Sequence, residues 1–448
     1  MVNSSHKDPR VRYERQVNLQ KNLLYAGLIL MNSSLGYYFL SEEAIGNYMR
    51  YAALAGGFGL VGLSIFCAPI EYLMTKIKVL TVFAFIGGGC LILHLANSSN
   101  AASLRNIAFQ VICCGMFVSG VLLYNPGIKR ISFRPQLYFW PIFIVSMLGL
   151  GLFLRSIGYV SDDGEGGRSL GDNELNPVGV AYTQACLAMV LLGAFLDTKS
   201  VSGKFIFAGG ILIAVTGIIV TGSRGAAIFG MLTFLGILYL YLRRNFLSVR
   251  TVSLIVVIIP LLGLALMILS TLEFVQARLD FLLHRFSGVL PSQDYDNSMV
   301  GPYGGRFEIW QEYLYDWKDW FIVGMPDYTP YPHNLFVELF CRFGVLGVIT
   351  GLIFFGITVS FLWKGWRNRN TVVSGDLLFV ALYIFCFLQA QSSLSLEINR
   401  MMWIGFGYVI MLVLIKNKSR YMSRHPIDVS STDKDMVDYM ISEPRREC

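Results

Sequence analysis

Long apolar runs separated by short charged segments are the feature that most constrains this chain. The hydrocarbon core of a bilayer is about 30 Å thick, so about 20 consecutive apolar residues of helix cross it. Runs of that order recur near 23–40, 50–69, 77–94, 105–124, 137–154, 177–196, 204–221, 225–242, 251–271, 335–362, 376–393 and 400–415. Backbone amides in hydrocarbon have no water to bond to, so such segments fold as helices that satisfy themselves. The expected fold is all-α, a polytopic integral membrane protein of about twelve transmembrane helices. Only 15% of the 448 residues are charged, against about 25% in soluble domains. An ordinary soluble enzyme is thereby excluded.

Twelve spans put both termini on one side of the membrane. With that side as the cytoplasm, the segments around Lys7 to Lys21, Lys76 and Lys78, Lys129 to Arg134, Lys199 and Lys204, "YLRRNFLSVR" and "WKGWRNRN" lie inside, as does the basic tail. Most of the 36 Lys and Arg are then cytoplasmic, as the positive-inside rule requires. The net charge of +7 therefore marks orientation, not nucleic-acid binding. "IIVTGSRGAAIFG" reads as a tight outward turn between the seventh and eighth spans. A re-entrant reading would move the later basic segments outside. Residues 1–22 form a cytoplasmic tail, 23–416 the membrane domain with a periplasmic loop at 272–334, and 417–448 a polar cytoplasmic tail. Met1 to Lys21 is polar and basic and precedes a long apolar run, so a first membrane helix is expected instead of a cleaved signal peptide.

The 8 cysteines show no CxxC pair and no His at ligand spacing, and read as small apolar fillers between helices. Neither a zinc site nor a disulfide framework is expected, and the cysteines call for no cofactor. Glycine strings such as "AALAGGFGLVG" and "GVLGVITGLIFFG" suit close approach of helix backbones.

Two outside segments exceed connector length. Arg155 to Asn176 contains the acidic string "SDDGEGGRSLGDNEL", which reads as a solvated loop. Thr271 to Asn334 is longer, lies between spans nine and ten, and is expected to be partly helical. Its "FEIWQEYLYDWKDWF" has the spacing of an amphipathic helix lying at the interface. "YPHNLF" then puts His333 and Asn334 behind Pro332, where a helix begins.

The outside face thus gathers Arg224 from "TGSRGA", Arg306 from "GGRFEIW" and His333 from "YPHN". Guanidinium groups match phosphate oxygens bidentately, so Arg224 and Arg306 suit a membrane-borne polyanion such as a lipid pyrophosphate. Imidazole titrates near neutrality, so His333 can take a proton from an attacking hydroxyl. Each residue also has a plainer reading. Arg224 can snorkel or cap a helix end, Arg306 can be a loop arginine, and His333 can cap a helix. Arg278, Arg285 and Arg342 are candidate substrate contacts that can equally meet lipid headgroups or Glu338. Trp310, Tyr328 and Tyr331 offer faces to a sugar or a lipid, or serve as interface anchors.

At these residues the chain resembles the O-antigen ligase and Wzy-type O-antigen polymerase superfamily of bacterial inner-membrane glycan transferases. The resemblance rests on Ser223, Arg224 and Gly225 at a helix start, Arg306 with Trp310 in the large loop, and His333, Asn334, Gly344 and Gly347 in the next helix. It is specific over residues 177–362 and generic elsewhere. It implies a GT-C-like architecture and an inverting, metal-independent transfer from undecaprenyl pyrophosphate at the periplasmic face. Arg224 and Arg306 would neutralise the departing pyrophosphate, and His333 would orient or deprotonate the acceptor hydroxyl. Asn334 would hold the imidazole or anchor the helix start. The implied partners are a lipid-linked glycan donor, a lipid-linked glycan or lipid A-core acceptor, the bilayer and other polysaccharide-assembly proteins.

Polymerase and ligase differ in the acceptor pocket, which these strings do not reveal; polymerase is favoured on the long acidic loop at 161–174. A transporter or flippase for lipid-linked glycans is the reading from another class. The absence of internal repeats and the concentration of signals on one face count against it.

Overall fold

The computed structural model describes residues 9–40, 43–97, 101–124, 177–198, 200–245, 306–325, 332–367, 376–392, 396 and 399–424. Every regular element among them is a helix: α1 Pro9–Leu40, α2 Glu43–Cys67, α3 Ile70–Met74, α4 Ile77–Asn97, α5 Ala101–Leu123, α6 Pro177–Asp197, α7 Val201–Thr221, α8 Arg224–Asn245, α9 Arg306–Tyr315, α10 Trp317–Trp320, α11 Leu335–Arg367, α12 Leu377–Gln389 and α13 Arg400–Arg424. Five contain segments long and apolar enough to cross a membrane: Ile77–Ala96, Val178–Asp197, Val201–Thr221, Arg224–Arg243 and Leu335–Arg367. Shorter apolar segments occupy α2, α5, α12 and α13. The chain is thus an all-helical membrane protein. The expected spans at 137–154 and 251–271 lie outside the described residues, as does the acidic loop at 155–176.

Three boundaries differ from the sequence expectation. Helix α1 starts at Pro9, not near residue 23, and α13 runs on to Arg424 through the start of the expected polar tail. Helix continuity is set by backbone hydrogen bonds, and Lys, Arg and Gln are good helix formers, so a helix need not stop where the hydrocarbon does. The third difference is larger. The expected single span at 335–362 is broken at Gly344, which has φ 54° and ψ −133°. In a straight helix residues 336 and 351 would be about 22 Å apart. Here the Phe336 ring lies 3.3 Å from where a Gly351 Cβ would stand, and the Leu339 carbonyl presses on Gly347. The arm 335–343 therefore doubles back along the start of the arm 345–367. Its nine residues reach only about 13 Å, too short to cross, whereas the second arm extends about 35 Å.

Burial sorts the bundle into a centre and a periphery. The apolar window of α6 is 83% buried, that of α4 only 6%. Around α6 pack α7, α8 and α12; α12 also meets α8 and α13, and α13 lies along α5. The α5–α13 contact is backbone to backbone: a Cβ on Gly120 would meet the Ile404 carbonyl, and one on Gly407 the Phe117 carbonyl. Lipid chains offer no hydrophobic drive for helix association, so such close contact carries the packing energy. Polar side chains add to it. Tyr182 of α6 donates to Asn399 Oδ1 at 2.7 Å, and Asn399 Nδ2 donates to the Cys386 carbonyl of α12 at 2.8 Å.

At the far end of α5, the buried Lys76 Nζ donates to the carbonyls of Val121, at 3.0 Å, and Tyr124, and sits 4.4 Å from the Tyr72 ring centre. Terminal carbonyls of a helix need donors, and Lys76 supplies them.

Candidate functional site

The expected site strings meet at one place, the C-terminal turn of α12. Leu335 N donates to the Ala390 carbonyl at 2.8 Å, and Asn334 Nδ2 to the Gln391 carbonyl at 3.3 Å. Asn334 Oδ1 accepts from the amides of Phe336 and Val337, at 3.0 and 3.2 Å. Asn334 is therefore the N-cap of α11, and its side chain is spent on anchoring the helix start. On the other side, α7 ends at Thr221 with Gly222 left-handed at φ 62°, Ser223 follows, and Arg224 opens α8. Helices α7 and α8 have 21 and 22 residues, enough for each to cross, and only two residues join them. Gly225 lies so close to α12 that a Cβ there would be 3.2 Å from Gln389 Nε2 and 3.3 Å from Ser392 Oγ. The "SRG" and "HN" strings thus flank the same turn, Gln389 to Ser392.

A third segment reaches the place from α9. Trp310 Nε1 donates to the carbonyl of Pro332, immediately before His333. Arg306 is the first residue of α9, one helical turn or about 6 Å before Trp310; its side chain lies outside what the structure describes. The expected amphipathic helix is two short helices, α9 and α10. Tyr313 and Trp320 are buried with Cys341, while Leu314, Tyr315 and Ile322 are exposed and form an apolar outer edge. Trp320 Nε1 donates to the Tyr313 carbonyl at 2.7 Å. Burial, followed by Cys341 and Glu312, pushes the Tyr313 phenol up to about 12. The layer is clasped to the α11 elbow through backbone: Met325 N donates to the Cys341 carbonyl at 2.6 Å. Gly324, at φ 80°, presses on the Arg342 carbonyl, and Gly344 approaches Ile322.

His333 has φ 53°, the one positive value among non-glycine residues of the described set. A left-handed histidine is uncommon, and it persists only where its surroundings over-determine it. Here Pro332 is held by Trp310 and Asn334 by Gln391. The start of α8 carries the partial positive charge that favours an anion, whereas the first amides of α11 are already taken by Ala390 and Asn334. Arg224, half-buried, adds a full charge at the first position of α8. The arrangement can hold a polyanion beside an imidazole.

The other candidates separate from this group or fall outside the described residues. Arg342 is 4% exposed, and its Nη1 is 3.5 Å from Glu338 Oε1. Glu338 also accepts from Leu396 N, at 3.1 and 3.2 Å to its two oxygens. The Leu396 carbonyl in turn accepts from Trp403 Nε1 at 3.0 Å. This is a tie between the α11 arm and the segment before α13. Trp310, by contrast, belongs to the group: half-buried, it is engaged with Pro332. Arg278, Arg285, Tyr328 and Tyr331 lie outside the described residues. Among the described residues no three His, Cys, Asp or Glu side chains are grouped for a metal ion.

Gln389, Gln391 and Ser392 escape a reading of the sequence that looks for charged groups in loops, because the expected span 376–393 covers them. The string "LQAQSS" at the end of an apolar run is the available signal, since polar groups at membrane depth mark functional places. Comparison with protein families, with curated proteins and with solved structures finds no match.

Proposed function

We propose that this chain is a membrane glycan transferase that passes a glycan from undecaprenyl pyrophosphate to a hydroxyl of another lipid-linked repeat unit. It is an O-antigen or exopolysaccharide polymerase of about twelve spans, with both termini cytoplasmic and the active site on the periplasmic face of a bacterial inner membrane. The observation that carries the reading is the meeting of Arg224, the Arg306–Trp310 helix and a backbone-strained His333 at the end of α12. The acceptor oxygen attacks the anomeric carbon, the bond from that carbon to the pyrophosphate oxygen breaks, and its electron pair leaves with the pyrophosphate. Arg224 and Arg306 neutralise that charge. His333 takes the hydroxyl proton. Pyrophosphate already activates the anomeric carbon, so two arginines supply the neutralisation a metal would otherwise give.

Purified protein given an undecaprenyl-pyrophosphate-linked repeat unit should produce a ladder of longer lipid-linked glycans and release undecaprenyl pyrophosphate. Transfer only after addition of lipid A-core would make the protein a ligase. No release of undecaprenyl pyrophosphate with either acceptor would defeat the transferase reading, and movement of the intact lipid-linked glycan across the bilayer would replace it with a flippase.

A further inference from the structure

Where α8 meets α12, the carboxamide of Gln389 is enclosed at 1% exposure, and its Oε1 has no hydrogen-bond partner among the described residues. Protein interiors leave few polar atoms in this state, because water has been given up and nothing has replaced it. The carboxamide is aimed at the first turn of α8. Its Nε2 and Oε1 lie 3.2 and 3.4 Å from where a Cβ of Gly225 would stand, and Ser392 Oγ lies 3.3 Å from the same point. Any side chain at 225 would press on both groups. Glycine lets the α8 backbone lie directly against the carboxamide, one residue from Arg224 and at a helix end whose amides favour an anion.

We propose that Gln389 is a substrate contact that reads a sugar hydroxyl next to the pyrophosphate held at Arg224. The proposal rests on the transferase reading above. A phosphate oxygen would be repelled by an unpaired amide oxygen, and Arg224 with the α8 amides already serves the charge. A hydroxyl can donate the hydrogen bond that Oε1 lacks and still accept one from a neighbouring donor. The sugar joined to a pyrophosphate carries such hydroxyls beside its anomeric carbon. Gln389 therefore selects the sugar, while Arg224 holds the lipid pyrophosphate.

The test is binding of two probes to detergent-solubilised protein: bare undecaprenyl pyrophosphate and the same lipid bearing one sugar. The unmutated protein should prefer the sugar-bearing lipid, and Gln389→Met should lose about tenfold of that preference, the size of one hydrogen bond, while binding bare lipid as before. Gln389→Leu serves if the Met variant does not fold. On the unmutated protein, one member of a series of mono-deoxy sugar lipids should show the same loss. An undiminished preference in the variant, or equal binding of every deoxy lipid, overturns the role of Gln389 and leaves the transferase reading standing. An equal loss for bare and sugar-bearing lipid overturns it in favour of a packing role. Failure of the unmutated protein to bind either lipid removes both readings together.

Discussion

Replacing Gly344 with alanine tests whether the doubled-back arm of α11 is built by the backbone. At φ 54° and ψ −133° the residue occupies a region that glycine enters freely. A side chain there costs about 1–3 kcal/mol in backbone strain. The new Cβ would also stand 2.6 Å from the Ile322 carbonyl oxygen, 2.7 Å from its carbon and 2.8 Å from Gly324 N. These are backbone atoms and cannot swing aside, and forced overpacking adds about 1–3 kcal/mol. Relief by sliding residues 322–324 off the elbow would stretch the 2.6 Å bond from Met325 N to the Cys341 carbonyl, worth about 1 kcal/mol. Gly344→Ala should therefore destabilise by about 3 kcal/mol. Gly356→Ala is the control, in the same helix but with nothing within 4 Å of its Cβ position; it should not destabilise, and helix propensity favours it by up to about 1 kcal/mol. Both are read by unfolding in one detergent, together with hydrogen exchange at the Met325 amide. If Gly344→Ala melts with the control and Met325 stays protected, the elbow is wrong and α11 is one continuous span.

His333→Ala should lose about 10²–10⁴ of turnover as the loss of a proton acceptor, with lipid pyrophosphate binding largely kept; parental turnover would remove His333 from the chemistry. Arg224→Ala should weaken both binding and turnover, and Arg224→Lys should restore part of each, because a point charge replaces a fork; an unaffected lipid affinity in the alanine variant would count against the phosphate role. Glu338→Ala removes the acceptor of Leu396 N and leaves the Arg342 charge buried, so unfolding should show a loss of about 3 kcal/mol, and a change within about 0.5 kcal/mol would mean the tie carries no stability. Lys76→Met strips a donor from the carbonyls of Val121 and Tyr124 and should destabilise by about 2 kcal/mol; a variant as stable as the parent would show that water caps α5 instead.

What could be read in the sequence follows the physics of the solvent. Ionisable side chains are rare beside hydrocarbon, so Arg224 and His333 stand out from "IIVTGSRGAAIFG" and "YPHNLF" without any structure. The link between α7 and α8 is less legible, because "IIVTGSRGAAIFG" fits a tight turn and a re-entrant segment alike; in the structure Gly222 and Ser223 alone join the two helices. The elbow in α11 is not legible at all. "CRFGVLGVITG" is apolar almost throughout, and glycine is ordinary in membrane helices, so hydropathy does not distinguish Gly344 from Gly356. What distinguishes them is the 322–324 backbone lying against one and not the other, a contact between segments that hydropathy does not encode.

The same limit explains why Gln389 escaped and why it belongs with the residues that did not. A helix that starts within the membrane exposes amides that lipid cannot satisfy, so a short arm beginning at Leu335 is tolerable only where protein meets its end. Asn334 caps part of it, and the Ala390 carbonyl takes the Leu335 amide directly. Side chains of the same α12 turn, Gln389 and Ser392, sit against Gly225, so one turn meets the starts of both α8 and α11. Arg224 and His333 are then not two polar side chains that happen to share a face. Their separation is set by the Gln389–Ser392 turn, and a substitution that shifts this turn should degrade both residues' contributions together, without touching either one.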